Sequence, residues 1–163
     1  MEKLLVIPDF KNIKDSLRLA KGYNAGFEYN DFSFAKFLDD KALCEEIVDE
    51  YKTYKLPDYT TNHGAFIDVL PYSNDEKIKE ISIYRINQSI EITRKIGAKS
   101  VVFHLNYNPF LNQELYVKYF PKLNIDVWRP IIEENSDINI YIENMFEQDP
   151  YIIKEVAKAL SEY

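Results

Sequence analysis

The stretch KSVVFHL, residues 99–105, is a compact apolar run that stops on a histidine. It follows a long amphipathic segment, 75–96, with Ile83, Ile86 and Ile90 on one helical face and Arg94 and Lys95 before Gly97. Positive side chains and a glycine suit the end of a helix, where carbonyls lack partners and the dipole is negative. Upstream, SNDE offers a capping box, Ser73 with Glu76. A helix followed at once by a short continuous apolar run is half of a β-α-β unit whose strand is covered on both faces.

Working outward from residue 99, the same alternation repeats. KLLVI (3–7), AGFEYNDFSF (25–34), TTNHGAFIDV and NIYIENM read as further strands, beginning near 3, 25, 60 and 140. The segment 13–24 carries Ile13, Leu17 and Ala20 at helical spacing, with Gly22 as a stop. DDKALCEEIVDEYKTY carries Leu43, Ile47 and Tyr51 on one face, with Asp39 or Asp40 as the cap. The stretch 108–123 is less regular, with a short helix expected before Pro121 and another over 124–135. In DPYIIKEVAKALSEY, Asp149 caps, Pro150 takes the first helical position, and Ile153, Val156, Ala157 and Leu160 form the buried stripe. Five such β-α units predict a parallel sheet covered by helices, in one domain over 1–163.

Composition narrows the function. The 163 residues are 46% apolar and 15% aromatic, enough for a sizeable core. A net charge of −7 argues against a broad nucleic-acid surface, which needs clustered Lys and Arg. Cys44 is the one cysteine and sits in a helical pattern, so a buried, inert thiol is expected. No intrachain disulfide can form, which points to a reducing cytoplasmic setting. Only four apolar residues precede Pro8, too few for a signal-peptide core. No run approaches the roughly 20 apolar residues of a membrane helix.

The chemistry concentrates at strand ends. The two histidines of the chain, His63 and His104, and then Glu143 close the third, fourth and fifth strands. They lie roughly 40 residues apart, about one β-α unit each. Parallel strands pack about 4.8 Å apart, so the three side chains are expected over one patch. Two imidazoles and a carboxylate suit a divalent ion such as Zn, Mn or Mg. A histidine after a strand is usually a satisfied polar residue, but equivalent positions on successive strands favour a shared site. Glu143 has Tyr141, Ile142 and Met145 around it, and a glutamate is rarely buried without a partner.

NHGAFIDVLPYSNDEKI, KSVVFHLNYNP and YIENMFEQDP together resemble the xylose isomerase-like TIM-barrel superfamily, which holds sugar-phosphate isomerases and epimerases and the family 2 apurinic endonucleases. GFEYNDF, near 26–32, adds to the resemblance. The resemblance covers the chain in order and spacing. It implies an α/β TIM-barrel-type fold, incomplete at about five of eight units, where a full barrel has about 250 residues. It implies metal ligation by His63, His104 and Glu143, with Glu143 also moving the proton. Glu28, Asn106, Tyr107 and Phe146 are expected to contact substrate. Glu28, Asn30 and Asp31 also read as a structural hydrogen-bonding cluster, and Asp68 as a brace for the next loop. The implied activity is isomerisation or epimerisation of a sugar, phosphorylated or free, or a related polyol. The family's ligands on strands six to eight have no place here, so an inactive truncated chain, a missing C-terminal segment or completion by a second copy is expected. Two rivals stand beside this reading: cleavage of abasic DNA, and a non-catalytic barrel fragment that binds a partner chain or ligand.

Overall fold

The computed structural model describes residues 4–111, 113–147 and 149–161. Lys3, the first residue of the expected first strand, lies outside them. Strands β1 (Leu5–Val6), β2 (Gly26–Tyr29), β3 (Thr60–His63), β4 (Ser100–His104) and β5 (Asn139–Glu143) form one parallel sheet in chain order. Between and after them run α1 (Ile13–Tyr23), α2 (Ala35–Asp39), α3 (Lys41–Lys52), α4 (Glu76–Ile96), α5 (Glu114–Glu134) and α6 (Pro150–Leu160). Strands that add in sequence order, each joined to the next by a helix, wind in one direction as in a β/α barrel. The sheet does not close: β1 and β5 are its edges.

Alternation of side chains divides each strand between two faces. Phe27, Tyr29, Asn62, Val101 and Phe103 are buried on the helix side. There Tyr29 packs on Tyr51 of α3, and Phe103 on Trp128 of α5. The Asn62 amide donates to the Ser89 carbonyl and the Thr93 hydroxyl of α4. The intervening residues, Glu28, Thr61, His63, Ser100, Val102, His104, Tyr141 and Glu143, share the opposite face. On β5 that face stays exposed, with Tyr141 44% accessible.

Several local expectations shift. Gly22 lies inside α1, and Asn24 ends the helix in the left-handed conformation at φ 51°. Asparagine tolerates that region, and its N–H reaches the Ala20 and Lys21 carbonyls. The cap of α4 is Asp75 rather than Ser73: its carboxylate accepts from the Lys77 and Ile78 amides, while Ser73 Oγ only accepts from Asp75 N–H. Helix α5 runs unbroken through Pro121 and Pro130. An interior proline costs about 3 kcal/mol, but full burial of Phe120 and Trp128 on the same helix outweighs the local preference. The buried stripe of α6 is Ile152, Val156 and Leu160, with Ala157 exposed, because α6 packs mainly on α5. Asp40 caps α3 through the Leu43 amide. Cys44 is buried as expected, its thiol donating to the Phe37 carbonyl. Burial pushes that thiol up from its ordinary range, with Asp40 adding. Among the described residues, no helix is long and apolar enough to cross a membrane.

Candidate metal centre

His63, His104 and Glu143 end β3, β4 and β5, and the structure brings them together. One ligand atom from each lies within 4.8 Å of the others. The two Nε2 atoms are 3.2 Å apart, and His104 Nε2 is 3.8 Å from Glu143 Oε2. Both imidazoles are buried, whereas the Glu143 side chain is 54% exposed.

The hydrogen bonds behind the rings decide what the front can do. His63 Nδ1 donates to the Gly64 carbonyl at 2.9 Å, and His104 Nδ1 to the Glu143 carbonyl at 3.1 Å. A carbonyl only accepts, so each neutral ring carries its proton on Nδ1. Both Nε2 lone pairs then point at each other with no hydrogen between them. A cation between them relieves this arrangement. Two nitrogens bound tetrahedrally to zinc at about 2.0–2.1 Å would stand about 3.3 Å apart, close to the observed separation. The residues present therefore fit a divalent ion, and backbone carbonyls orient both rings, as outer-shell partners do in metal sites.

Phe66 packs against both imidazoles. Its ring meets His63 edge-on at 5.1 Å and His104 at 5.3 Å, and touches Phe34 at 6.2 Å. Asn106, at φ 55°, donates its amide to the Phe66 and Val69 carbonyls and accepts the Tyr72 hydroxyl on its own carbonyl. Its side chain thus ties the β4 loop to the β3 loop. Tyr107 is buried and stacks on Tyr116 at 5.3 Å, away from the triad. Phe146 is exposed, in the loop after β5, with its N–H on the Glu147 carboxylate.

Beside edge strand β5 opens a cavity of ≈ 520 Å³, lined by Glu28, Val102, Tyr141, Glu143, Asn144 and Glu147, with Ile142, Pro150 and Ile153 at its outer wall. Three strand spacings separate β2 from β5 and the register sets Glu28 level with Asn139, so a flat sheet would hold Glu28 about 20 Å from Glu143. The curl of the sheet brings both to one cavity. Burial raises the Glu28 carboxyl above its usual range; the Glu143 charge adds and His104 opposes. Asp31 accepts the Tyr51 hydroxyl at 2.9 Å, and burial raises its carboxyl too, so Asp31 belongs to the structural cluster. Asp68 sits in an exposed turn at φ 60°. Sequence reasoning missed Phe66, Tyr141 and Glu147; the aromatic three residues after His63 was the available signal for the first.

No family model matches the chain, and no curated protein does. Solved structures do. The TTHB071 protein from Thermus thermophilus, soaked with ZnCl2, superposes with a TM-score of 0.73 at 16% identity, over 96% of this chain and 61% of its own. A D-tagatose 3-epimerase-like protein gives 0.69 at 22%, over 96% and 60%. The 3-keto-D-glucoside 4-epimerase from E. coli, in its apo form, gives 0.58 at 18%, over 94% and 63%. The fold is that of part of an α/β barrel of the TIM type. The chain spans about three fifths of the length of these structures, five parallel strands of the barrel with their helices. At such identities the likeness is one of fold.

Proposed function

We propose that this chain carries the metal-binding and proton-transfer residues of an isomerase or epimerase acting on a sugar or related polyol. The carrying observation is the pair of bare Nε2 atoms, locked by Nδ1 donation and faced by the Glu143 carboxylate. His63, His104 and Glu143 hold a divalent ion in this reading. The ion's chemistry is that of a Lewis acid beside a substrate carbonyl. Glu143, half exposed at the cavity, takes the proton from the carbon next to that carbonyl. Epimerisation needs a second group on the opposite side, and Glu28 across the cavity, its carboxyl raised from the usual range by burial, suits that role. Tyr141 and Val102 offer apolar surface for the C–H face of a sugar.

The proposal extends to the whole protein. The open edge of β5 and its exposed concave face suit completion of the barrel by a further segment or a second copy. The single buried thiol fits a cytoplasmic protein of one domain. Cleavage of abasic DNA is the weaker reading, since the carboxylates of the cavity repel a phosphodiester backbone.

The test is native mass spectrometry of the purified chain, reading metal and subunit number together, followed by turnover of a ketose and polyol panel. A bound divalent ion and turnover that falls with Glu143→Gln are expected. Unchanged turnover in Glu143→Gln overturns the assignment of the proton-transfer residue. Absence of a bound ion at saturating zinc overturns the metal site.

A further inference from the structure

We infer that the cavity beside the His63–His104–Glu143 group takes an uncharged polyhydroxy compound and excludes phosphate esters. The inference rests on the sugar-site reading above and narrows it to one chemical class.

Two independent observations carry it. The first is the lining. Glu28, Glu143 and Glu147 face the cavity with Asn144, and no lysine or arginine lines it among the described residues. Glu28 makes no hydrogen bond among the described residues, so its oxygens remain available. A carboxylate only accepts hydrogen bonds. Hydroxyl groups of a polyol donate to it, two neighbouring hydroxyls matching its two oxygens. The phosphate group of an ester, as the dianion, brings only acceptors and two negative charges. It is therefore mismatched in hydrogen-bond sense as well as in charge. Even with a divalent ion seated, three glutamates surround the entering group.

The second observation is the state of the helix starts. In a β/α barrel each helix begins at the end of the sheet where the site lies, and a helix start with free amides is able to hold a phosphate. Here each of the five longer helices brings a carboxylate to its own start. Asp15 lies in the first turn of α1, and Asp40 caps α3. Asp75 caps α4 with Glu76 behind it. Glu114 opens α5, and Asp149 caps α6 through the Tyr151 amide. Asp40, Asp75 and Asp149 accept from amides of their own helices, and Asp15, Glu76 and Glu114 add negative charge at the positive end of each dipole. Lys14, Lys41 and Lys77 stand in first turns of α1, α3 and α4, but none of them lines the cavity. A phosphate arriving at any of these five helix starts thus meets a carboxylate.

The experiment is a titration of the zinc-loaded full chain with D-fructose and D-fructose 6-phosphate, and with D-ribulose and D-ribulose 5-phosphate, read by saturation-transfer NMR and calorimetry. At least one free ketose is expected to bind, with its phosphate ester weaker by about tenfold or more at low salt, a gap that narrows as salt screens the glutamates. Glu147→Lys is expected to close most of that gap by strengthening the ester. An ester that binds as tightly as its free sugar overturns the inference and leaves the sugar reading standing. A zinc-loaded chain that binds none of the four overturns the sugar reading and this inference with it.

Discussion

Gly64 joins the packing of the fold to the aim of His63. A Cβ built on Gly64 would lie 2.5 Å from Phe103 Cδ1 and 2.8 Å from Phe103 Cζ, closer than real side-chain contacts. Phe103 has no room to retreat, being 1% exposed and packed on Trp128 at 5.1 Å. Gly64→Ala should therefore force ring and strand apart, at about 1–3 kcal/mol, the usual cost of one methyl too many in a tight core. For a chain of this size each kcal/mol lowers the melting temperature by about 2–4 °C. Because the Gly64 carbonyl also accepts the His63 Nδ1 proton, the same change should weaken zinc binding. Urea titration and a competing-chelator zinc titration measure the two effects. Phe103→Leu makes room, so the double variant should be more stable than the sum of the single losses by about 1 kcal/mol. A Gly64→Ala chain within about 0.5 kcal/mol of the parent, or no coupling to Phe103, would refute the reasoning.

Other outcomes follow from the same geometry. His104→Gln should weaken zinc binding by ~100-fold or more, measured by chelator competition; a change below about threefold speaks against a metal ligand. Burial pushes the Tyr29 phenol up to about 12. The unfolded chain ionises first, so this contribution is whole below pH 10 and is lost as pH rises towards 12, on the order of 2 kcal/mol. Urea midpoints taken across that range should fall less steeply in Tyr29→Phe, with Tyr51 and Tyr72, also raised by burial, keeping part of the slope. Pro130→Ala should raise stability by about 1 kcal/mol: it restores an N–H to α5 at an exposed position, and the unfolded chain regains some freedom against it. A lower urea midpoint would show that the proline is favoured where it stands.

The order of strands and helices was legible because apolar runs and helical stripes are local signals. The strand ends were legible too, since a histidine after SVVF and another after TTN stand where the apolar or β-rich run stops. What escaped was set by contacts between distant segments. Pro121 read as a helix break, and only the burial of Phe120 and Trp128 explains why α5 continues. Ser73 read as the cap, and it is the Asp75 carboxylate that reaches two amides. The bonds of the Asn106 side-chain N–H to the Phe66 and Val69 carbonyls, and of its backbone carbonyl to the Tyr72 hydroxyl, join loops distant in sequence. Glu28 read as half structural, and it is the curl of the sheet that brings it to the cavity. The carbonyls of Gly64 and Glu143 that select the histidine tautomers are backbone groups, on which residue type is silent.

Register explains why these particular histidines meet. His104 pairs directly with Glu143 across β4 and β5, but His63 pairs with Val102, two residues short of His104. The imidazoles therefore meet on a diagonal, a separation that only long side chains bridge. The stagger of a barrel sheet supplies that diagonal. An exchange of Val102 and His104 tests it. Val102→His with His104→Val keeps composition, face and charge, yet sets the fourth-strand imidazole level with His63 and about 6.6 Å along the strand from Glu143. Zinc affinity of the exchanged chain should fall as far as that of His104→Gln, while far-ultraviolet circular dichroism stays that of the parent. Parent-like affinity in the exchanged chain would mean that any two histidines on this face suffice, and that the diagonal register is incidental to the site.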